Sequence, residues 1–535
     1  MLLDLVKSSS SAQIYLAGVA VVCTLAYLFR PPRLRYVPRP PVPSWLWGHD
    51  LAIYSVDAGV KYREWFDTYG PLFKIRGAFC HPEILVAADL GVTNHILQTN
   101  IYDYHHSKIV RPRIERLLGR SLGWVEGAEE HRRMRKLVSA GLTVNMVNAL
   151  SPIIYDSANR ITGNLIDAVV NTSKTGTKGT VVNILDWTGK ATLEITGRAS
   201  FDHDFDGGEA QDAQAILGAW RRMATVGISR MGFVALMLLR RFPFLNHIPI
   251  KANRAHSVVK MTIQDGVAKE MLARSAKHED GKPEKGRNDL LTLLLNAHAQ
   301  GELPTQELMD HLSMFIMAGH ETTSQTLAFT IWELAQHPDK QTRLREEVMA
   351  HNGPDPTFAD FMGKLPYLDA VVRESLRMHP ALPYMERVAT KDDILPLATP
   401  LTKPDGTQLT QLPIKAGQII VTPIISIHQQ AAVWGPDAAE WKPERWLSPS
   451  TLPDPKTLPS GWGNLLAFSD GPRNCVGWRL GLFQYKVILM ALVRDLVFVD
   501  TGVDIASKIA SSLQPCVRDE IGGAPKLPIE VKLVD

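Results

Sequence analysis

Phe468-Ser469-Asp470-Gly471-Pro472-Arg473-Asn474-Cys475-Val476-Gly477 leads straight into an amphipathic helical pattern with Leu480, Phe483, Val487 and Met490 on one face. A cysteine just ahead of a helix meets unpaired backbone N–H groups and the positive end of the dipole, so its anionic form is favoured. Gly471 and Gly477 allow a tight turn and the close approach of a flat ligand, and Arg473 offers a fork of donors for a carboxylate. A lone cysteine in a glycine turn is more often simply buried. The weight here rests on ten residues that work together.

Further segments lie upstream of this loop. Glu374 and Arg377, three apart in VVRESLRMHP, share a helix face, and Pro443-Glu444-Arg445-Trp446 supplies another arginine. A helix with Thr305 as N-cap and Glu307 in its first turn should run until His337-Pro338, roughly 48 Å at 1.5 Å per residue. Its middle reads Ala318-Gly319-His320-Glu321-Thr322, where the glycine costs about 1 kcal/mol relative to alanine. That weakened turn is expected to open a groove, with an acid and a hydroxyl beside it. Earlier still, His131-Arg132-Arg133-Met134-Arg135 forms a basic helix segment.

Taken together, 468–477 resembles the haem-binding loop FxxGxRxCxG of the cytochrome P-450 family at every fixed position, and the other segments follow in the family's order over about residues 36–520. The details look most similar to fungal microsomal members. The resemblance implies haem b (iron protoporphyrin IX) ligated by Cys475, with Arg473 on a propionate and Phe468 packed beside the loop. It implies that Glu374, Arg377 and Arg445 form a buried structural network. Ala318 to Thr322 looks like the oxygen-binding AGxET segment, so Thr322 is expected to hydrogen-bond bound oxygen while Glu321 relays protons. Arg135 keeps a propionate-binding position, His131 stands where the family usually has tryptophan, and Arg387 falls where a further propionate-binding arginine is often found.

The 535 residues, 45% hydrophobic and 21% charged, have the balance of a folded globular chain, which disfavours disorder and a polytopic membrane protein. A net charge of +3 lacks the basic stripe that nucleic acid demands. Cys23, Cys80, Cys475 and Cys516 are scattered without CxxC spacing, as suits a reducing compartment. Residues 12–29 carry no charge and approach the ~20 apolar residues of a membrane span. Arg30, Arg33, Arg35 and Arg39 follow, so the positive-inside bias puts the bulk of the chain in the cytosol and argues against a cleaved signal peptide. Under that topology the sequon Asn171-Thr172-Ser173 stays unmodified.

The expected architecture is mainly α with a small β component, the cytochrome P-450 fold. It comprises a membrane anchor at 1–30, a proline-rich spacer at 31–45, and a single large catalytic domain at 46–535. Strand-like runs occur at 72–75, 84–87 and 418–422, and polar, breaker-rich loops at 172–180 and 275–289.

The implied activity is mono-oxygenation: one atom of O2 enters a lipophilic small molecule such as a terpenoid, a sterol or another secondary metabolite. Nothing in the chain resembles a dinucleotide or flavin site, so electrons are expected from outside, and the resemblance implies that the donor is the membrane-bound, NADPH-dependent cytochrome P-450 reductase, with cytochrome b5 as an optional second donor. Arg132, Arg133 and Lys136 are the candidate docking face, and the endoplasmic reticulum membrane is the expected location. Candidate substrate contacts lie at 101–122, 316–322, 381–385 and 511–515, mostly apolar near the iron, and 231–239 is a candidate second membrane contact. A haem-thiolate enzyme that rearranges peroxides would often lack the Glu321 and Thr322 pair, and a haem sensor would need neither that pair nor an anchor. A zinc hydrolase reading of His320-Glu321 fails because position 324 is serine.

Overall fold

The computed structural model describes residues 34–173, 179–248, 251–277 and 289–534, together with Gly18. The expected span at 12–29 lies outside them apart from Gly18, and among the described residues no single helix is long and apolar enough to cross a membrane. The helices that surround the site are α1 (Val110–Leu118), α2 (Ala128–Ser139), α3 (Ile184–Phe201), α4 (Lys251–Ile263), α5 (Thr305–Gln336), α6 (Pro366–Met378) and α7 (Trp478–Asp495). The reading of a mainly helical chain with some sheet holds. Both expected loops are shorter than drawn, because helices continue to Ser173 and to Lys277.

The long helix α5 forms as the sequence predicts, with one correction at its start. Pro304, in extended geometry, occupies the cap position and Thr305 is already helical without a side-chain cap bond. At the far end His337 turns out of the helix because Pro338 follows it. Nearly every position from Leu308 onward is buried on all sides, as in a helix that runs through a core. Gly319 does not open a groove by weakening a turn, since the helix is continuous there. A Cβ at 319 would lie 2.8 Å from Thr196 Oγ1 and 2.9 Å from its Cγ2, so the glycine lets α3 and α5 approach. α7 also departs from the amphipathic reading, being buried on all sides from Leu482 to Val493, with Lys486 matched by Asp369 at 2.5 Å.

A five-stranded sheet flanks the helices. Its strands are β1 (Leu72–Arg76), β2 (Glu83–Ala87), β3 (Tyr104–His105), β4 (Met385–Ala389) and β5 (Ile419–Thr422), in the order β1-β2-β5-β4-β3. Its register pairs Phe73 with Val86 and sets Arg387 opposite Ile420. The stretch 34–45 is not a detached spacer. Leu34 and Val37 are buried in the sheet-side core, and Lys74 donates from Nζ to the Leu34 carbonyl at 2.8 Å and from its backbone N–H to Pro38 at 2.9 Å. Prolines keep this segment extended, while its apolar side chains dock it. The hairpin Asp393–Thr402 with Gln408–Ile414 and the short strands near the C-terminus were not legible as strands. The hairpin's first strand is mostly exposed and contains prolines, which hides the usual alternation.

A buried charge network joins α6 to the segment before the cysteine loop. Glu374 accepts from Arg377 at 2.7 and 2.9 Å, from Arg445 Nε at 2.9 Å, from the Lys442 backbone at 2.8 Å and from the Trp446 indole at 2.9 Å. Arg377 spends its remaining donors on the carbonyls of His428, Ala438 and Glu440. His428 then accepts the Leu466 N–H at 2.8 Å, and burial pushes its pKa down to about 3, so a neutral imidazole relays the network's position to the loop.

Candidate functional site

The loop closes on itself before it presents its sulfur. Cys475 N–H donates to the Phe468 carbonyl at 2.8 Å, and the Phe468 ring meets Trp462 edge-on at 5.6 Å. The two glycines divide the task assigned to both. Gly471 has φ +67°, and a Cβ there would fall 2.1 Å from the Leu97 carbonyl oxygen, so it admits the neighbouring backbone turn and not a flat ligand. Gly477 caps α7 with φ −92°, and a Cβ there would project into open space. Cys475 is accessible, yet enough protein surrounds it that burial pushes the thiol pKa up, against the Gly477 N–H and the charge of Arg135. Such a thiol is a poor free nucleophile, and a bound metal ion would displace its proton.

Around the loop converge the arginines singled out in the sequence. Arg135, on α2, donates to the Asn474 carbonyl at 2.6 Å and also to its side chain. Arg473 donates to the Val125 carbonyl at 2.8 Å, sits 3.4 Å from Glu126, and leaves Nε buried without a partner. Arg387, carried in by β4, has both Nε and Nη1 buried without partners, and burial pushes its pKa down to about 10. Buried His131 meets the Tyr102 hydroxyl at 3.0 Å. Burial and the nearby Arg473, Arg135 and Arg132 push its pKa down to about 4, so it is neutral.

Two of these guanidinium groups, Arg473 and Arg387, therefore face one carboxylate, Glu126, while Arg135 lies nearer Cys475. Burial opposes its ionisation, but hydrogen bonds from His106 and the charge of Arg473 outweigh that and hold its pKa at about 2. His106, with its own pKa pushed to about 4 by burial and Arg387, donates to it as a neutral ring. Tyr102 and His106 fall within the candidate substrate stretch 101–122 without a role of their own, and Glu126 lies outside it; each gains meaning only from what it touches.

α5 contributes the other wall. Ala318 is exposed and Gly319 and Thr322 are partly so, in the middle of an otherwise buried helix. Thr322 Oγ1 donates to the Ala318 carbonyl at 2.8 Å, which holds the hydroxyl in place. Glu321 turns the other way and accepts from Ser511 Oγ at 3.2 Å. Burial pushes its pKa up to about 8, so it is a neutral acid at pH 7. Gln484 of α7 donates to the Gly319 carbonyl and to Thr323 Oγ1, both at 3.0 Å, tying this wall to the helix that follows Cys475. His320 is a core residue, edge-on to Trp220.

Three candidate substrate stretches meet: Ser511 touches Glu321, and the Leu513 N–H donates to the Ala381 carbonyl at 2.8 Å. The fourth, 101–122, is not mostly apolar, because α1 carries Arg111, Arg113 and Arg116. Of the candidate docking residues, Arg133 is ion-paired with Glu130 and Glu307, whereas Arg132 and Lys136 are exposed. In 231–239, Met231 is 79% exposed, but Phe233, Met237 and Leu239 are buried, so only its edge faces outward.

A cytochrome P450 family model matches residues 38–513. The cytochrome P450 monooxygenase claQ of Ampulloclitocybe clavipes is 30% identical over 90% of this chain and 90% of its own length. The cytochrome P450 monooxygenase claP of the same organism is 30% identical over 90% of this chain and 89% of its own length. Cytochrome P450 monooxygenase 205 of Postia placenta is 31% identical over 93% of both chains.

Proposed function

The chain belongs to the cytochrome P450 family and is similar to fungal monooxygenases of it, and on that premise we propose that it oxidises a lipophilic small molecule with electrons drawn from NADPH through a separate reductase. One observation carries the assignment of the site: Arg387 and Arg473 share the single carboxylate of Glu126 beside the cysteine loop that Arg135 grips, and Arg387 lacks a partner on two buried nitrogens. A buried cation without its anion is costly, so these residues suit a ligand that brings carboxylates of its own. Haem b, with two propionates and an iron for a thiolate, fits that demand, and when bound it supplies the oxidising chemistry.

The chain's residues then have definite tasks. Cys475 holds the metal, and Gly477 leaves clearance beside it. Arg135, Arg387, Arg473 and His131 orient the propionates, with Tyr102 fixing the His131 ring. Ala318 and Thr322 form the accessible patch in the middle of α5, and Glu321, neutral at pH 7, holds a proton on a carboxyl that Ser511 fixes. The substrate that the family premise implies is a lipophilic small molecule of terpenoid, sterol or related secondary-metabolite type, and Ala318, the exposed position in the middle of α5, presents only a methyl group there.

The uncharged run at 12–29 with its following arginines supports a single-pass anchor in the endoplasmic reticulum membrane and a cytosolic catalytic domain. Exposed Arg132 and Lys136 remain available for a reductase, with cytochrome b5 as an optional second donor.

The test is a carbon monoxide difference spectrum of the purified, reduced protein. A strongly red-shifted Soret band that disappears in Cys475→Ala is the expected result, and its absence from the wild type, or persistence in the variant, overturns the assignment. Product formation from a panel of terpenoids, sterols and fatty acids, dependent on reductase and NADPH, then identifies the substrate class.

A further inference from the structure

Between α1, the turn at Pro243–His247 and α4 lies a cleft of about 730 Å³, within the size range of small-molecule sites. Its lining includes Lys108, Arg111, Arg116 and Lys260, against one carboxylate, Glu115. Glu115 is already committed to Arg120, at 2.8 Å. The four cations are not equally engaged elsewhere. Lys108 is exposed and has no ion-pair partner among the described residues. Arg111 lies 4.0 Å over the Trp124 ring and keeps Nε buried with no hydrogen-bond partner. Arg116 donates to the Asn246 carbonyl and also feels the charge of Glu115, which leaves the other three to attract an anion. Lys260 reaches the Glu115 carbonyl at 3.3 Å, and the nearest acid, Asp310, is 3.7 Å away and already accepts from Arg120, Gln264 and Gln306.

Lys108, Arg111 and Lys260 around one cleft repel one another unless an anion enters, and the cleft walls focus their field on what does. A multiply charged, oxygen-rich group answers them best, because guanidinium forks and ammonium groups both bind phosphate oxygens well. The rim adds a second requirement. Phe244, which lines the cleft, is 66% exposed, and Met261, next to Lys260 on α4, is 54% exposed, so an apolar surface adjoins the charged one. We propose that this cleft binds a phosphate monoester dianion bearing an apolar tail, with Lys108, Arg111 and Lys260 around the phosphate and the tail across Phe244. The cleft borders His106 but carries its own charges, and the proposal stands independently of the haem assignment.

The phosphate could belong to a lipid headgroup or to a free phosphate ester, and calorimetric titration of the full-length haem-loaded protein in neutral detergent separates the two. The probes are glycerol 3-phosphate, dihexanoyl phosphatidic acid and dihexanoyl phosphatidylcholine. Phosphatidic acid is expected to bind about tenfold more tightly than glycerol 3-phosphate, through burial of the tail, while phosphatidylcholine does not bind. Arg111→Gln with Lys260→Gln should weaken both phosphate ligands by roughly tenfold or more, with an unchanged carbon monoxide spectrum reporting an intact fold. Lys108→Glu, at an exposed position, tests the same charge without disturbing any internal pair and should weaken binding in the same direction. Equal affinity for glycerol 3-phosphate and phosphatidic acid overturns the tail and leaves a free phosphate ester as the ligand. Absence of phosphate binding, or binding that Lys108→Glu leaves unchanged, overturns the site.

Discussion

Glu374 and Glu126 both lie among buried guanidinium groups, and they differ in how completely the chain answers them. Glu374 accepts from Arg377, Arg445, a backbone N–H and an indole, and Arg377 then spends its other donors on three carbonyls. Around Glu126 the arithmetic fails. Arg473 keeps an unpartnered Nε, and Arg387 keeps an unpartnered Nε and Nη1. Folding alone should eliminate such orphans, since each costs about 1–3 kcal/mol. The first region is finished by the polypeptide; the second leaves donors for the proposed ligand.

The largest expected effect probes the finished region. Glu374→Ala strands two buried arginines, and losing one partner of a buried charge set typically costs about 3–5 kcal/mol. The expected outcome is a chain that melts far below the wild type or fails to accumulate as folded protein, measured by circular dichroism. Retention of wild-type stability would erase the contrast.

A smaller effect separates the two glycines of the cysteine loop. Gly471→Ala drives a methyl into the Leu97 carbonyl at positive φ, for a loss of about 1–3 kcal/mol in denaturant titrations. Gly477→Ala meets no atom within 4 Å, so the stability of the haem-free protein should change by no more than about 0.5 kcal/mol. Haem uptake should suffer instead, if the space beside Gly477 belongs to the ligand.

Arg387→Gln sharpens the unfinished region directly. Removing a buried charge with two unpartnered nitrogens should leave the haem-free protein as stable as the wild type or more so, while haem transfer to apomyoglobin quickens by roughly tenfold. A variant that loses stability without haem would show that Arg387 serves the fold.

The subtlest prediction concerns Glu321, whose pKa of about 8 lies above the ordinary carboxylate value. A group with a raised folded-state pKa stabilises the fold fully below its unfolded pKa, and that contribution fades as pH rises through the folded value. Thermal melts at pH about 6 and about 9 should therefore show a decline that Glu321→Gln flattens. NADPH-dependent turnover should fall along the same limb if Glu321 supplies the proton. Thr322→Ala, by contrast, should keep the haem spectrum and release more peroxide per NADPH consumed.

Much of this molecule could be read before its structure. The cysteine loop was legible because its ten residues act within one turn, and α5 because apolar periodicity and Pro338 bound it. Strands at 72–76, 83–87 and 419–422 followed from short β-branched runs. Glu374, Arg377 and Arg445 were legible as a group only through a family pattern, since nothing local in 443–446 points to a residue about seventy positions away. The roles of Tyr102, His106, Glu126 and Gln484 were invisible for the same reason. The roles given to Gly319 and Gly471 were misread because each was judged from its own turn, whereas Thr196 and Leu97 decide what they do.

By itself, then, the sequence determined where elements start and stop, which cysteine stands before a helix, and which charges are present, because backbone geometry and periodicity act over a few residues. Only the tertiary structure decided which of those charges are paired and which are left wanting. Hydrogen bonds and ion pairs are satisfied through space, at about 3 Å, between residues that the chain brings together from hundreds of positions apart.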